Sequence, residues 1–159
     1  MKPKALLIYQ SKTGNTALMA KHVANGLERE GVDVILRRIE ETNVDDLLEP
    51  DAIIIGTPTY FAGTTAEIKR LIDDSIKHFG KLQGKVGAAF SSSADLGGGN
   101  ETAILDIIRA FLVHGMIVQG STSGGHYGPV SLGAPDDERR RVCEEFGARV
   151  AKLIKKLAG

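Results

Sequence analysis

The stretch "YQSKTGNTALMA", residues 9–20, places the end of a strand-type run directly before a polar turn and a helix-type run. It joins an apolar, β-favouring run, "KALLIY" at residues 4–9, to a run with apolar residues at helical spacing. Between the two lies the polar hexapeptide "SKTGNT", whose glycine permits a sharp turn. A strand that passes through such a turn straight into a helix is typical of a βαβ unit.

The same alternation of strand-type and helix-type runs continues along the chain. The five strand-type runs are "KALLIY", "VDVILR", "DAIIIG", "KVGAAFS" and "GMIVQG". Helix-type runs separate them, and Thr64 and Glu67 match a capping box at the start of the clearest one. We therefore predict one α/β domain over residues 1–159, with a doubly wound, five-stranded parallel sheet in three α/β/α layers. The expected strand order is 2-1-3-4-5.

Composition narrows the class of protein. Twenty basic and twenty acidic residues leave a net charge of zero, without a long block of either sign. This balance argues against a dedicated nucleic-acid or membrane-surface binder. Because no apolar run approaches the ~20 residues that span a bilayer, we expect no membrane insertion and a soluble, cytoplasmic protein.

Cysteine, histidine and the common motifs exclude several chemistries. Cys143 is the only cysteine, so no internal disulfide forms, and we expect a surface or half-buried thiol. No metal site is predicted, because the histidines lack ligand spacing. We expect His22 and His78 to be solvated and His114 to end a helix as a cation. The absence of G-x-G-x-x-G, the P-loop motif and G-x-S-x-G argues against a bound dinucleotide, a nucleoside triphosphate and a serine hydrolase.

Three loops follow the first, third and fourth strand-type runs, which are neighbours in the predicted order. Their carboxyl ends meet at one edge, where open α/β sheets bind ligands. The first loop combines hydroxyl, amide and backbone donors with a helix start, which suits a phosphate. Its candidate residues are Ser11, Lys12, Thr13, Gly14, Asn15 and Thr16. An ordinary capped helix start is the alternative.

The second and third loops suit a flat ring. "GTPTYFAG" offers two aromatic side chains, which could instead only cover the sheet edge. Its candidate residues are Pro58, Thr59, Tyr60, Phe61 and Gly63. "SSSADLGGGN" has small residues that let backbone N–H groups approach a planar ligand, although alone it could be a flexible turn. Its candidate residues are Ser91, Ser92, Ser93, Ala94, Asp95, Leu96, Gly97 and Gly98.

Several of these segments resemble motifs of known protein families. "SKTGNT" after a strand resembles the FMN phosphate loop of flavodoxins, [ST]-x-T-G-x-T. "GTPTYF", "FSSSADLGGGNET", "HGM" and "HYG" look more specifically like the WrbA-type NAD(P)H:quinone oxidoreductases, a branch of the flavodoxin-like superfamily. The resemblance runs in order over nearly the whole chain.

The resemblance implies FMN as cofactor and assigns a part to each loop. Residues 11–16 would cradle the phosphate, Thr59, Tyr60 and Phe61 would contact the isoalloxazine, and the third loop would meet its pyrimidine end. It also implies NAD(P)H as donor, a quinone or similar small molecule as acceptor, and a homo-oligomer, either dimer or tetramer. Four features depart from the WrbA type: no aromatic stands near Thr13, the third loop is one residue longer, Val113 replaces a histidine, and the chain has no tryptophan.

The third loop separates the function classes. Electron-carrying flavodoxins typically look acidic and hold the flavin between two aromatics, whereas this chain is neutral and "SSSADLGGGN" contains no aromatic. One face of the ring would then be open to a nicotinamide and afterwards to a quinone. We expect a ping-pong oxidoreductase with its chemistry on FMN and no certain catalytic side chain. A one-electron carrier is the alternative, and a receiver-like or scaffold domain is a weaker one.

A fourth glycine-rich segment, "TSGGHYGPVSLGAP" at residues 122–135, is predicted to follow the last strand as a lid or site wall. It resembles the "YG" segment near the substrate face of the WrbA type. His126 and Tyr127 are the candidate substrate contacts. The alternative is a surface loop whose tyrosine packs over the sheet edge.

Overall fold

The computed structural model describes residues 1–159 and contains one parallel sheet with strand order β2-β1-β3-β4-β5. The strands are β1 Lys4–Tyr9, β2 Asp33–Arg38, β3 Ala52–Pro58, β4 Val86–Ser93 and β5 Val130–Leu132. The α-helices are α1 Asn15–Arg29, α2 Ala66–Asp74, α3 Asn100–Val113 and α4 Asp137–Ala158. The predicted fold class and strand order are confirmed.

Alternate residues of the central strands build two apolar layers. Leu7, Ile54 and Phe90 point to the face that α1 and α4 cover. Leu6 and Ile53 point to the other face, with α2 and α3. Each such side chain, when fully buried, contributes about 1.5–3 kcal/mol of hydrophobic free energy, so both faces hold the sheet in place.

Helices α1 and α4 touch through their backbones at two glycines. A Cβ atom on Gly26 would lie 2.0 Å from the carbonyl oxygen of Glu144, and one on Gly147 would lie 2.1 Å from that of Val23. Only glycine permits this close approach, which fixes the position of α1 and therefore of the loop that precedes it.

The fifth strand differs from its prediction because it is split. Of "GMIVQG", only Ile117 pairs with the sheet, in an isolated parallel bridge to Val86. The chain then runs outside the sheet until Gly128 and Pro129 return to its edge, where the carbonyl of Pro129 accepts from the N–H of Ser91 and β5 pairs with Ser91–Ser93. The glycine-rich segment at residues 122–135 therefore lies largely before the last strand and not after it.

Two helix predictions also need correction. The connection from β2 to β3 contains only 3₁₀ turns, Ile39–Glu41 and Val44–Leu47, where an α-helix was expected. Helix α2 begins one residue later than the predicted capping box, because the side chain of Thr65 caps it by accepting from the N–H of Ile68. Thr64 instead donates its hydroxyl to Thr57 Oγ1 at 3.1 Å.

Several side chains are more buried than their polarity suggested. Cys143 is fully buried, and burial raises the pKa of its thiol to about 12, so it is not a surface thiol. His78 is buried with Nε2 2.8 Å from Asp45 Oδ1, and His22 is half-buried against Glu144. None of the helices has the length and apolar character needed to cross a bilayer.

His114 ends α3 as predicted, but not as a cation. Burial, reinforced by the neighbouring His78, lowers the pKa of its imidazole. The dipole of α3 would favour a positive charge here, yet desolvation outweighs it. Its Nε2 lies 2.7 Å from the hydroxyl of Ser75, while its Nδ1 is buried without a partner.

Candidate functional site

Three loops meet at the carboxyl edge of the sheet, as the strand order requires. They follow β1, β3 and β4, which are consecutive neighbours in the sheet. The loops lie at residues 10–14, 59–65 and 94–99. We call them the first, second and third loops.

The first loop ends in a helix start with free backbone donors. Gly14, at φ +96°, takes the left-handed conformation that turns the chain into α1. Its N–H donates to Ser11 Oγ at 3.1 Å, whereas the N–H groups of Asn15, Thr16 and Ala17 have no acceptor in the chain. The first turn carries no acidic residue. These features together suit an anion.

The hydroxyl of Thr16 is committed inside the protein. Thr16 is buried, and its Oγ1 lies 2.8 Å from Ser92 Oγ at the end of β4. Thr13 is exposed and Asn15 is half-buried, and neither side chain has a hydrogen-bond partner in the chain. A ligand would thus meet backbone N–H groups and these two side chains more readily than Thr16.

The second loop is a tight turn that presents an aromatic side chain to solvent. Tyr60 and Gly63 exchange two backbone hydrogen bonds of 3.0 Å, and the residues between them, Phe61 and Ala62, have φ of 48° and 64°. The left-handed conformation costs a non-glycine residue roughly 1–2 kcal/mol. The Phe61 side chain is fully exposed. Such strain at an exposed aromatic indicates a binding role.

Helix α3 holds this strained turn in place. Thr102 Oγ1 donates to the carbonyl of Ala62 at 2.6 Å, and Asp106 Oδ2 accepts from the N–H of Thr64 at 3.2 Å. A Cβ on Gly99 would lie 2.4 Å from the Cα of Ala62, so this glycine lets the second and third loops touch. Pro58 ends β3, and Thr59 Oγ1 donates to the carbonyl of Ser92 at 2.9 Å.

The third loop has a buried base and an exposed tip. Ser91, Ser92 and Ser93 belong to β4, and all three side chains hydrogen-bond inside the protein. The five residues that follow are all exposed: Ala94, Asp95, Leu96, Gly97 and Gly98. The tip alone can therefore reach a ligand with side chains, while the serines shape its base.

The part of the fourth predicted segment that holds His126 and Tyr127 makes no hydrogen bond to these loops, whereas β5 in the same segment pairs with Ser91–Ser93. His126 Nδ1 lies 2.8 Å from the carbonyl of Ser121 in its own turn, and no hydrogen bond joins residues 121–128 to the three loops. Tyr127 is exposed, and Gly128 packs against the carbonyl of Ala89 at the sheet edge. A substrate contact by His126 or Tyr127 stays a prediction.

Sequence reasoning missed two residues beside the first loop. Gln10 is buried, and its Oε1 has no partner. The backbone N–H of Glu67 and the Gln10 side chain lower the pKa of the Glu67 carboxyl. Arg38 donates from Nη1 to the carbonyl of Ser11 at 3.4 Å. Arg38 is distant in sequence, and only its position at the end of the second strand could have suggested it.

A parallel sheet of order 2-1-3-4-5, with loops gathered at its switch point, is the arrangement of the flavodoxin-like class of α/β proteins. The family model described as "Flavodoxin" matches residues 7–102. The chain belongs to this family.

The similar proteins include a flavodoxin and a quinone dehydrogenase. A flavodoxin from Aquifex aeolicus is 36% identical over 95% of this chain and 86% of its own length. An NAD(P)H dehydrogenase (quinone) from Archaeoglobus fulgidus is 32% identical over 97% of this chain and 98% of its own length. The crystal structure of a flavodoxin, WrbA-like protein from Agrobacterium tumefaciens superposes with a TM-score of 0.84 and 29% identity, covering 98% of this chain and 99% of that one. They confirm the predicted resemblance.

The site fits the cofactor that the resemblance implies. Free N–H groups at a helix start without acidic side chains suit the phosphate of FMN. The turn at Phe61 and the exposed residues after β4 lie at the same edge of the sheet, where a flat ring would contact both. Membership of the flavodoxin family supports FMN as the cofactor.

Proposed function

We propose that this protein is an FMN-dependent oxidoreductase that passes two electrons from NAD(P)H to a quinone or similar acceptor in a ping-pong sequence. The observation that carries the proposal is the exposed tip of the third loop, residues 94–98, which contains no aromatic side chain. A ring held at this edge would have one aromatic loop beside it and one open face. The quinone dehydrogenase relative and the WrbA-like neighbour support this reading.

Each loop has a task in this proposal. The first loop would bind the phosphate through the free N–H groups of Asn15, Thr16 and Ala17. The turn of the second loop would orient the ring through Tyr60 and Phe61. Backbone N–H groups of the third loop would stabilise negative charge at the pyrimidine end of the ring. FMN, when bound, supplies the capacity to accept and release electrons.

A one-electron carrier is the second candidate, and a specific observation favours it. The Aquifex aeolicus relative, named a flavodoxin, matches 95% of this chain. The exposed side chains of Phe61 and Leu96 would then serve as contacts for a protein partner. A carrier would need a separate reductase, whereas the proposed enzyme reacts with NAD(P)H directly.

A substitution in the third loop tests the proposal. FMN-loaded protein is assayed for oxidation of NADH and of NADPH with a benzoquinone as acceptor. Wild type should turn over, and Leu96→Tyr should lose most activity while it keeps FMN, because the new ring covers the open face. Leu157→Tyr, at an exposed position near the end of α4, is the matched control. If wild type shows no flavin-dependent turnover with either nucleotide, the proposed oxidoreductase activity is refuted.

A homo-oligomer is also proposed, and an exposed apolar cluster supports it. The cluster consists of exposed residues at or near Phe79 and His114 in sequence, and the ring centroids of these two residues lie 6.1 Å apart. Its exposed members are Ile76, Phe79, Leu112 and Val113. Light scattering should give a dimer or tetramer for wild type and a smaller mass for Phe79→Asp. A monomeric wild type across the micromolar range would contradict the homo-oligomer.

A cytoplasmic location stays a prediction.

A further inference from the structure

Arg38 is exposed, and its side chain contacts the backbone of the first loop. Its Nη1 donates to the carbonyl of Ser11 at 3.4 Å, and its guanidinium carbon lies 5.5 Å from the centroid of the Tyr9 ring. The backbone is held as well, since the carbonyl of Arg38 accepts from Thr42 Oγ1 at 2.8 Å. The contacts with Ser11 and Tyr9 place the positive charge next to the loop backbone.

Arg38 has no carboxylate partner. Its neighbour Arg37 points away from it and pairs with Asp46 at 2.7 Å, but Arg38 makes no ion pair. The first turn of α1 also lacks an acidic residue. A guanidinium is always charged and binds phosphate well, so Arg38 is available to an anion at this loop.

The other nearby cation, Lys12, lies against an aromatic ring of the second loop. Lys12 Nζ lies 5.3 Å from the centroid of the Tyr60 ring, in the second loop. Arg38 is therefore the cation that contacts the backbone of the first loop, one residue before Lys12 and three before Gly14. Its charge adds to that of the helix start, whose own donors are neutral N–H groups.

Resting on the proposed FMN site, we propose that Arg38 is a positioning residue that makes this site select phosphorylated over unphosphorylated flavin. It acts through its charge and through the Ser11 carbonyl, and it needs no contact with the isoalloxazine. Arg38 would have two separate effects, one from its charge and one from its hydrogen bond to Ser11. Its charge serves only a flavin with a phosphate, whereas its hydrogen bond to Ser11 would serve the loop itself.

Binding of two flavins distinguishes these effects. Flavin-free protein is titrated with FMN and with riboflavin, with the quenching of flavin fluorescence as the readout. Arg38→Gln removes the charge and, because its side chain ends two bonds short of Nη1, also the hydrogen bond to the Ser11 carbonyl. It should weaken FMN binding about fivefold, the upper range for an exposed charge pair, and leave riboflavin binding unchanged. Salt near 1 M should reduce the difference, since it shortens the Debye length to about 3 Å.

Two variants complete the test. Arg38→Lys should restore most of the FMN affinity, and Arg37→Gln, with its charge on the other side of the strand, should behave as wild type toward both flavins. Equal FMN affinity of wild type and Arg38→Gln would overturn the inference while the proposed function stands. Equal weakening of both flavins would also overturn it, in favour of a structural role. If wild type bound neither flavin, the proposed function would fail together with it.

Discussion

The hydroxyl of Thr16 lies 2.8 Å from the hydroxyl of Ser92 and joins the start of α1 to the end of β4. Both residues are buried, and Ser92 also accepts the hydroxyl of Thr59 at its carbonyl, 2.9 Å away. One short chain of hydrogen bonds thus connects the bases of all three loops. The geometry of the site depends on contacts beneath it as well as on residues that face a ligand.

A double-mutant cycle tests this link. Thr16→Val leaves the Ser92 hydroxyl buried without its partner, which should cost about 1–3 kcal/mol of unfolding free energy. Ser92→Ala should have a similar effect, and the double variant should cost less than the sum of the two. Urea denaturation provides the measurement. Additive losses would show that the two hydroxyls do not interact.

The contact between Gly99 and Ala62 gives a second prediction. Gly99→Ala should weaken FMN binding and lower stability, since a Cβ there would lie 2.4 Å from the Cα of Ala62. Gly97→Ala is the matched control, because its φ of +71° is also left-handed but nothing lies within 4 Å of a Cβ. Thermal unfolding and FMN titration should show a larger loss for Gly99→Ala. Equal losses would mean that backbone strain alone decides.

His114 should make stability depend on pH. Burial, and then the nearby His78, lowers the pKa of His114 in the folded protein. As the pH falls through ~6.5, the usual histidine pKa, the unfolded chain therefore binds a proton that the folded protein still refuses. Stability should fall in that range and level off below the folded pKa. The free energy of unfolding should vary less between pH 7.5 and 5.5 in His114→Gln than in wild type.

His126→Gln, on an exposed loop, serves as the control for this pH experiment. Its unfolding should follow the wild-type pH profile. An unchanged slope in His114→Gln would assign the pH dependence to other groups.

His126 can also be tested as a substrate contact. If its imidazole meets the donor or acceptor, His126→Ala should raise the apparent KM for that substrate at unchanged FMN affinity. Its hydrogen bond to Ser121 lies within a surface turn, so the substitution should leave the sheet intact. Steady-state kinetics of both substrates provide the measurement, and identical KM values would remove His126 from the site.

The alternation of strand-type and helix-type runs predicted the parallel sheet. The strand-type runs could be recognised because strands buried on both faces are continuously apolar, as "AIIIG" is in β3. The split of the fifth strand was not predictable, since "GMIVQG" is apolar enough for a strand but only Ile117 pairs. The pattern of apolar residues does not show which residues of a segment will pair with the neighbouring strand.

The candidate site shows the same limit. Loop positions followed from strand order, and the turn at Gly14 followed from the motif. The use of Ser91 and Ser93 for internal hydrogen bonds did not, because a hydroxyl can serve a ligand or its own backbone equally well. Arg38 reaches the first loop from another strand, a contact that one sequence cannot reveal.

Anaerobic mixing of FMN-loaded protein with NADH or NADPH shows whether the flavin accepts electrons from a nicotinamide directly. We expect one nucleotide to bleach the visible flavin absorbance and a benzoquinone to restore it, without a partner protein. Absorbance that stays unchanged with both nucleotides, yet bleaches with dithionite, would contradict the enzyme and identify a carrier that depends on a separate reductase.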